Sequence, residues 1–110
     1  MTDYIVKVTK HAEESMKSIG MYIAFELLNP KAAFDLLDLF QEEIESLRKM
    51  PERVALTHEE PWRSYGIRQL IVKNFYIYFW IDEEGKKVQV TDVIYAKRDQ
   101  AKALDEMPQE

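Results

Sequence analysis

The sequence contains no cysteine among its 110 residues. Disulfides and thiolate chemistry are therefore excluded, and a reducing compartment fits this composition. No apolar run approaches the roughly 18 residues of a membrane span, and the opening MTDYIVKVTK has no apolar core of signal-peptide length. We therefore expect a soluble, cytoplasmic protein with no membrane partner.

Residues suited to metal binding or hydrolysis are also scarce. The two histidines, His11 and His58, are distant in sequence and lack the spacing of metal ligands. None of the serines considered as nucleophiles has the glycine-flanked turn of a catalytic serine: Ser15, Ser18, Ser46 and Ser64. We expect no metal and no cofactor.

The charge is acidic overall but uneven along the chain. A net charge of -5 argues against a broad nucleic-acid-binding face, because such faces are basic. Basic residues nevertheless outnumber acidic ones between Trp62 and Arg98, so a local anion site stays open. The acidic middle of the chain is expected to form a solvated helix face: Asp35, Asp38, Glu42 and Glu45.

The N-terminal half predicts a strand followed by two helices. Alternation in DYIVKVT indicates a short strand, after which Thr9 offers a helix N-cap. Apolar residues then recur at steps of three and four from Ala12 to Leu27 and again from Ala33 to Leu47. Asn29 and Pro30 separate the two runs, since asparagine caps a helix and proline fits its first position. Helices joined so closely predict an antiparallel hairpin.

The C-terminal half predicts a loop and three strands. Residues 49–66 carry two prolines and a glycine without periodicity, which is typical of a loop. The strands IRQLIV and FYIYFWI flank Lys73 and Asn74, a two-residue turn in which asparagine tolerates positive φ. After the turn DEEGKK, VQVTDVIY is the last strand. The predicted fold class is α+β: a strand, a helix hairpin and a three-stranded antiparallel meander, with the helices on one face of the sheet. We expect residues 1–110 to form a single domain.

This turn also predicts which side chains share a face. With Lys73 and Asn74 in the turn, Arg68 opposes Phe79 on the face that the helices cover. We expect Arg68 to pair with a helix glutamate. The opposite face carries Tyr76, Tyr78 and Trp80, either as strand-forming aromatics or as an open platform for a partner chain or a nucleic-acid base.

Two further groups of residues have alternative interpretations. The helices carry a second apolar set, which either widens the core or forms a groove for a partner helix: Tyr22, Phe25, Leu28, Phe34 and Leu36. Tyr95, Lys97, Arg98 and Asp99 follow the last strand. They either simply end the strand or place a cation where it holds a phosphate or a carboxylate.

Several stretches together resemble the RelE/ParE superfamily of bacterial toxins, the toxin halves of type II toxin–antitoxin pairs. They are NPKAAFDLLDLFQEEIESL, MPER, GIRQLIVKNFYIYFWID and VIYAKRD, and they span nearly the whole chain. The resemblance implies the same fold and a cognate antitoxin as partner. It also implies one of two activities: RelE-like members are ribosome-dependent mRNA endonucleases, whereas ParE-like members inhibit DNA gyrase without cutting RNA.

The resemblance favours the ParE-like branch. Where RNA-cutting members would carry cations, this chain has Ile67, Gln69, Ile71 and Tyr76. We therefore expect a growth-arresting toxin of a plasmid-stabilisation type of module, acting on gyrase by protein contact. The alternatives are an mRNA endonuclease and a non-toxic module that keeps only the antitoxin interface. A homodimer and a hetero-oligomer with the antitoxin both stay open.

The expected site residues follow from these hypotheses. Target contacts are expected at Tyr76, Tyr78, Trp80 and Arg98. If the chain cuts RNA on the ribosome, the catalytic or RNA-holding residues are Arg98, Lys97, Tyr76 and Tyr78. Antitoxin contacts are expected at Tyr22, Phe25, Leu28, Phe34 and Leu36, with basic antitoxin residues facing the acidic helix.

Overall fold

The structure is a computed structural model that describes residues 3–96. The strands are β1 (Ile5–Val8), β2 (Arg68–Val72), β3 (Phe75–Asp82) and β4 (Lys87–Tyr95). The helices are α1 (Lys10–Met21), a π-helical turn (Tyr22–Glu26), α2 (Pro30–Glu45) and two 3-10 turns (Ser46–Arg48 and Pro51–Arg53). This is the predicted α+β class.

Both predicted helix caps are confirmed. The hydroxyl of Thr9 accepts a hydrogen bond from the Ala12 amide at 3.1 Å, and the Asn29 side-chain carbonyl accepts one from Ala32 at 3.1 Å. Pro30 occupies the start of α2, as its missing N–H allows.

The first predicted helix is present, but its last turn is not α-helical. α1 ends at Met21, and the next turn widens: the Leu27 amide bonds the Tyr22 carbonyl, five residues back. Leu28 then reverses the chain with a left-handed φ of 53°. Hydrophobic spacing does not reveal where an α-helical turn gives way to a π-helical one, because apolar residues continue through both.

The sheet has the strand order β1-β4-β3-β2, with β1 parallel to β4 and the other pairs antiparallel. The predicted register between β2 and β3 is confirmed: Arg68 lies opposite Phe79 and Val72 opposite Phe75. In the turn, however, Lys73 rather than Asn74 has positive φ, at 53°. β4 contains a bulge, since Tyr78 pairs with Asp92 while Phe79 pairs with Val90, which leaves Thr91 as the additional residue.

The helices pack on one face of the sheet, as predicted. The core between them includes Phe40 and Leu47 from the helical layer and Ile77, Phe79 and Val88 from the sheet, all fully buried. α1 and α2 approach closely at Gly20, where a Cβ atom would lie 2.9 Å from a methyl carbon of Leu37. Among residues 3–96, no helix is long and apolar enough to cross a membrane.

Candidate interaction surfaces

Four of the residues predicted to contact an antitoxin are exposed at the tip of the helix hairpin. We call Tyr22, Phe25, Leu28 and Phe34 the hairpin patch; their exposed fractions are 57%, 69%, 82% and 69%. The π-helical turn and the left-handed Leu28 place the first three there. Large apolar side chains held this far out of the core mark a surface that a partner can cover.

Leu36 does not belong to this surface. It is 8% exposed and lies in the core beneath α2, so its predicted role as an exposed antitoxin contact is wrong. Leu36 and Phe40 are four residues apart on one helix, which places both on the buried face.

An apolar groove of about 510 Å³ lies beside the hairpin patch. Ile19, Tyr22 and Leu27 line it on the helical side, and Phe75 and Tyr95 on the sheet side. The rings of Phe75 and Tyr95 lie 5.5 Å apart. The hairpin patch is thus continuous with a concave site that can accept a large apolar side chain.

The sheet face away from the helices, which we call the second face, is not the open platform that the sequence suggests. Tyr78 is completely buried there in a cluster with Trp62, Ile67 and Ile94. Tyr76 and Trp80 are half-buried against the same cluster. Tyr78 therefore cannot contact a target, and its predicted role as an exposed contact is wrong.

The cover over Tyr78 comes from residues 56–66, which we call the covering segment. It joins the edge of β2, where the Thr57 amide bonds the Ile67 carbonyl at 2.9 Å and the Gln69 amide bonds the Ala55 carbonyl at 3.1 Å. It then turns back and places Trp62, only 7% exposed, over the sheet. The signal available in the sequence was a lone tryptophan in a polar loop, because so large an apolar side chain is seldom left in water.

The environment of Tyr78 also decides its acid–base behaviour. Burial raises the pKa of Tyr78 to about 12, against a smaller lowering by the Gln69 side chain. The Gln69 amide donates to the Tyr78 hydroxyl at 3.2 Å. A phenol that is both buried and this weakly acidic is poorly suited to move protons for a substrate near neutral pH.

The structure describes Arg68 but not the other two cations to which the sequence assigned a role. Lys97 and Arg98 lie outside the described residues. The guanidinium of Arg68 donates to the carbonyls of Val54, at 2.5 Å, and Glu52, at 3.2 Å. The expected pairing of Arg68 with a helix glutamate is therefore wrong, because backbone carbonyls of the segment after α2 accept the hydrogen bonds from its guanidinium.

The acidic side of α2 is a solvated face, as predicted. Asp35, Asp38 and Glu42 are all exposed. Asp35 makes an exposed ion pair with Lys31 at 2.9 Å, four residues earlier on the same helix. The remaining carboxylates can therefore meet a basic partner without first being released from a buried contact.

A buried carboxylate that the sequence did not predict ties α1 to β4. Asp92, 4% exposed, accepts hydrogen bonds from the Ser15 hydroxyl at 2.7 Å and the Val93 amide at 2.8 Å. His11 approaches its other oxygen at 3.3 Å. Serine and histidine both meet the aspartate rather than each other, so the arrangement differs from a nucleophile–base–acid chain and anchors the helix. Within residues 3–96, no three potential ligands lie together as a metal site requires.

Known structures share this architecture. A chain from "Chromosomal ParDE TA system from P. aeruginosa" matches with a TM-score of 0.70 and 21% identity, covering 86% of this chain and 97% of that one. The toxin–antitoxin complex RelBE2 from Mycobacterium tuberculosis matches with a TM-score of 0.60 and 18% identity, over 88% of this chain and 97% of that one. A mutant of the E. coli toxin RelE in the free state matches with a TM-score of 0.61 and 10% identity, over 92% of each chain. The fold is that of the RelE/ParE superfamily of toxins.

The sequence identifies the branch. Residues 6–100 match the family of the ParE toxin of the type II toxin–antitoxin system parDE. The chain belongs to this family, and it is the toxin component of a type II toxin–antitoxin system. Among proteins with curated functions, none matches the sequence significantly.

Proposed function

We propose that this toxin arrests growth by binding DNA gyrase through protein contact, without cutting RNA itself, and that a cognate antitoxin neutralises it. The observation that carries the proposal is the burial of Tyr78 beneath Trp62 on the second face. RNA cleavage without a metal needs cations for the phosphorane and a pair of groups that move protons. At the positions where RNA-cutting relatives would carry cations, the second face has only neutral side chains: the buried Ile67, and Gln69 and Ile71.

The same face supports a protein contact. Ile71 is 65% exposed and lies directly opposite the half-buried Tyr76. An apolar residue beside a tyrosine provides contact area at a low cost in side-chain entropy. We propose Ile71, Tyr76 and the half-buried Trp80 as the target contact. Arg98, which lies outside the described residues, stays part of this proposal as the cation that the sequence supplies.

The hairpin patch supports the antitoxin contact. Burying a large apolar side chain is worth roughly 1.5–3 kcal/mol, so covering Phe25, Leu28 and Phe34 can offset the cost of ordering a disordered tail. The exposed carboxylates of Asp35 and Asp38 stand on the same helix as Phe34. Lysine or arginine residues of the antitoxin opposite them speed the encounter and fix its register.

Two substitutions separate these contacts in one experiment. The chain is expressed in bacteria both without a partner and together with its cognate antitoxin, with growth and the DNA-damage response as readouts. The unmodified protein should arrest growth and induce the response. Ile71→Asp should abolish both effects yet keep antitoxin binding, whereas Phe25→Asp should stay toxic and escape neutralisation.

Two outcomes would contradict the proposal. One is unaffected growth at good soluble expression of the unmodified chain. The other is growth arrest accompanied by cleavage of ribosome-bound mRNA, seen by primer extension, because that result assigns the toxicity to RNA cutting.

A further inference from the structure

We propose that β1 is an attachment strand, to which the antitoxin adds an extended segment of its own while placing apolar side chains in the groove beside it. The inference rests on the proposed function, since it assigns a second contact to the same partner. It concerns the edge of the sheet at Ile5–Val8, on a different part of the surface from the hairpin patch.

The backbone of β1 offers an open edge. The amides of Ile5 and Thr9 bond to β4, each at 2.9 Å from its carbonyl acceptor. Because backbone groups alternate along a strand, those of Val6 and Val8 point the other way. No strand within residues 3–96 pairs with that side. The bond from the Tyr4 amide to the Arg48 carbonyl, at 2.8 Å, closes only the beginning of the edge.

A groove of about 430 Å³ adjoins this edge. The side chains of Val6 and Val8 line it from the strand, and Met16, Leu37 and Ile44 line it from the helices. A strand added to β1 would direct every second side chain to the same face as Val6 and Val8. The site therefore fits a segment with apolar residues at alternate positions.

The charge at the groove indicates which segment would fit. Glu13 and Glu45 line the groove and both are exposed; Glu45 also pairs with Arg48, so of the two Glu13 is the carboxylate without an ion pair among the described residues. This rim favours a segment with lysine or arginine beside its apolar residues. A second copy of this chain is disfavoured in the antiparallel register centred on Lys7, because that register sets the exposed Lys7 of each copy opposite the other.

Amide hydrogen exchange on the complex tests the proposal directly. The chain is mixed with its cognate antitoxin, and exchange is followed residue by residue before and after binding. The amides of Val6 and Val8 should slow by about tenfold or more, because they gain acceptors. The Lys7 amide, which already faces β4, is the internal control and should change little.

A charge reversal provides an independent readout. Glu13→Lys should weaken the complex about fivefold, mainly through slower association. Glu14→Lys is the matched control, since the same change at the next exposed position of α1 lies outside the groove. A complex in which Val6 and Val8 exchange as in the free chain would overturn the attachment strand and leave the proposed function intact. Failure of any complex to form would overturn the antitoxin contact and this inference together.

Discussion

Replacing Trp62 with alanine tests the cover over the second face. The Trp62 side chain is only 7% exposed, and it packs on Ile67, Tyr78 and Ile94. Truncating a tryptophan in such a site costs about 3–5 kcal/mol of unfolding free energy, because the packing is lost and a cavity remains. With an unfolding entropy of about 2.1 cal/mol/K per residue over 110 residues, the melting temperature should fall by roughly 13–22 °C.

The second tryptophan supplies the matched control. Trp80 lies on the same face but is only half-buried, so Trp80→Ala should cost about 1–2 kcal/mol. Urea unfolding followed by circular dichroism gives both values without depending on tryptophan fluorescence. If Trp62→Ala costs less than Trp80→Ala, the covering segment does not bury Tyr78, and Tyr78 is then free to contact RNA.

Two further predictions concern single side chains. Because the folded-state pKa of Tyr78, about 12, exceeds its unfolded value, the stability it contributes is complete below about pH 10 and lost as the pH rises toward 12. Unfolding free energies measured over this range should fall by on the order of 2 kcal/mol more in the unmodified chain than in Tyr78→Phe; equal slopes would show that this phenol is not buried. Phe25→Asp should leave the melting temperature within about 2 °C and weaken the antitoxin complex at least about tenfold, whereas Leu36→Asp should prevent stable folding, because it buries a charge in the core. Calorimetric titration and thermal melts check the pair, and a stable, soluble Leu36→Asp protein would contradict the core assignment.

Local signals accounted for the parts of the fold that depend on neighbours in sequence. Thr9 and Asn29 cap their helices, and the short turn at Lys73 fixed the register of β2 against β3. Each feature depends on a few adjacent residues. The position of β1, parallel to β4 at the sheet edge, depends on contacts across about eighty residues, and no local pattern reports it.

The candidate site was predicted less well because burial depends on what packs above a surface. Alternation placed Tyr76, Tyr78 and Trp80 on one face, which is right. It could not reveal that Trp62 returns from the preceding loop to cover Tyr78. On α2, helical spacing did not distinguish Leu36, which lies in the core, from Phe34, which is 69% exposed.

Gyrase supercoiling in vitro is the most direct test of whether this toxin acts on gyrase by protein contact. Purified chain is added to gyrase, ATP and relaxed plasmid, with Ile71→Asp as the matched variant and Phe25→Asp as the control outside the target surface. We expect the unmodified chain and Phe25→Asp to inhibit supercoiling and Ile71→Asp not to inhibit it. Supercoiling that proceeds unchanged at a large molar excess of a folded chain that arrests growth in cells would contradict this expectation.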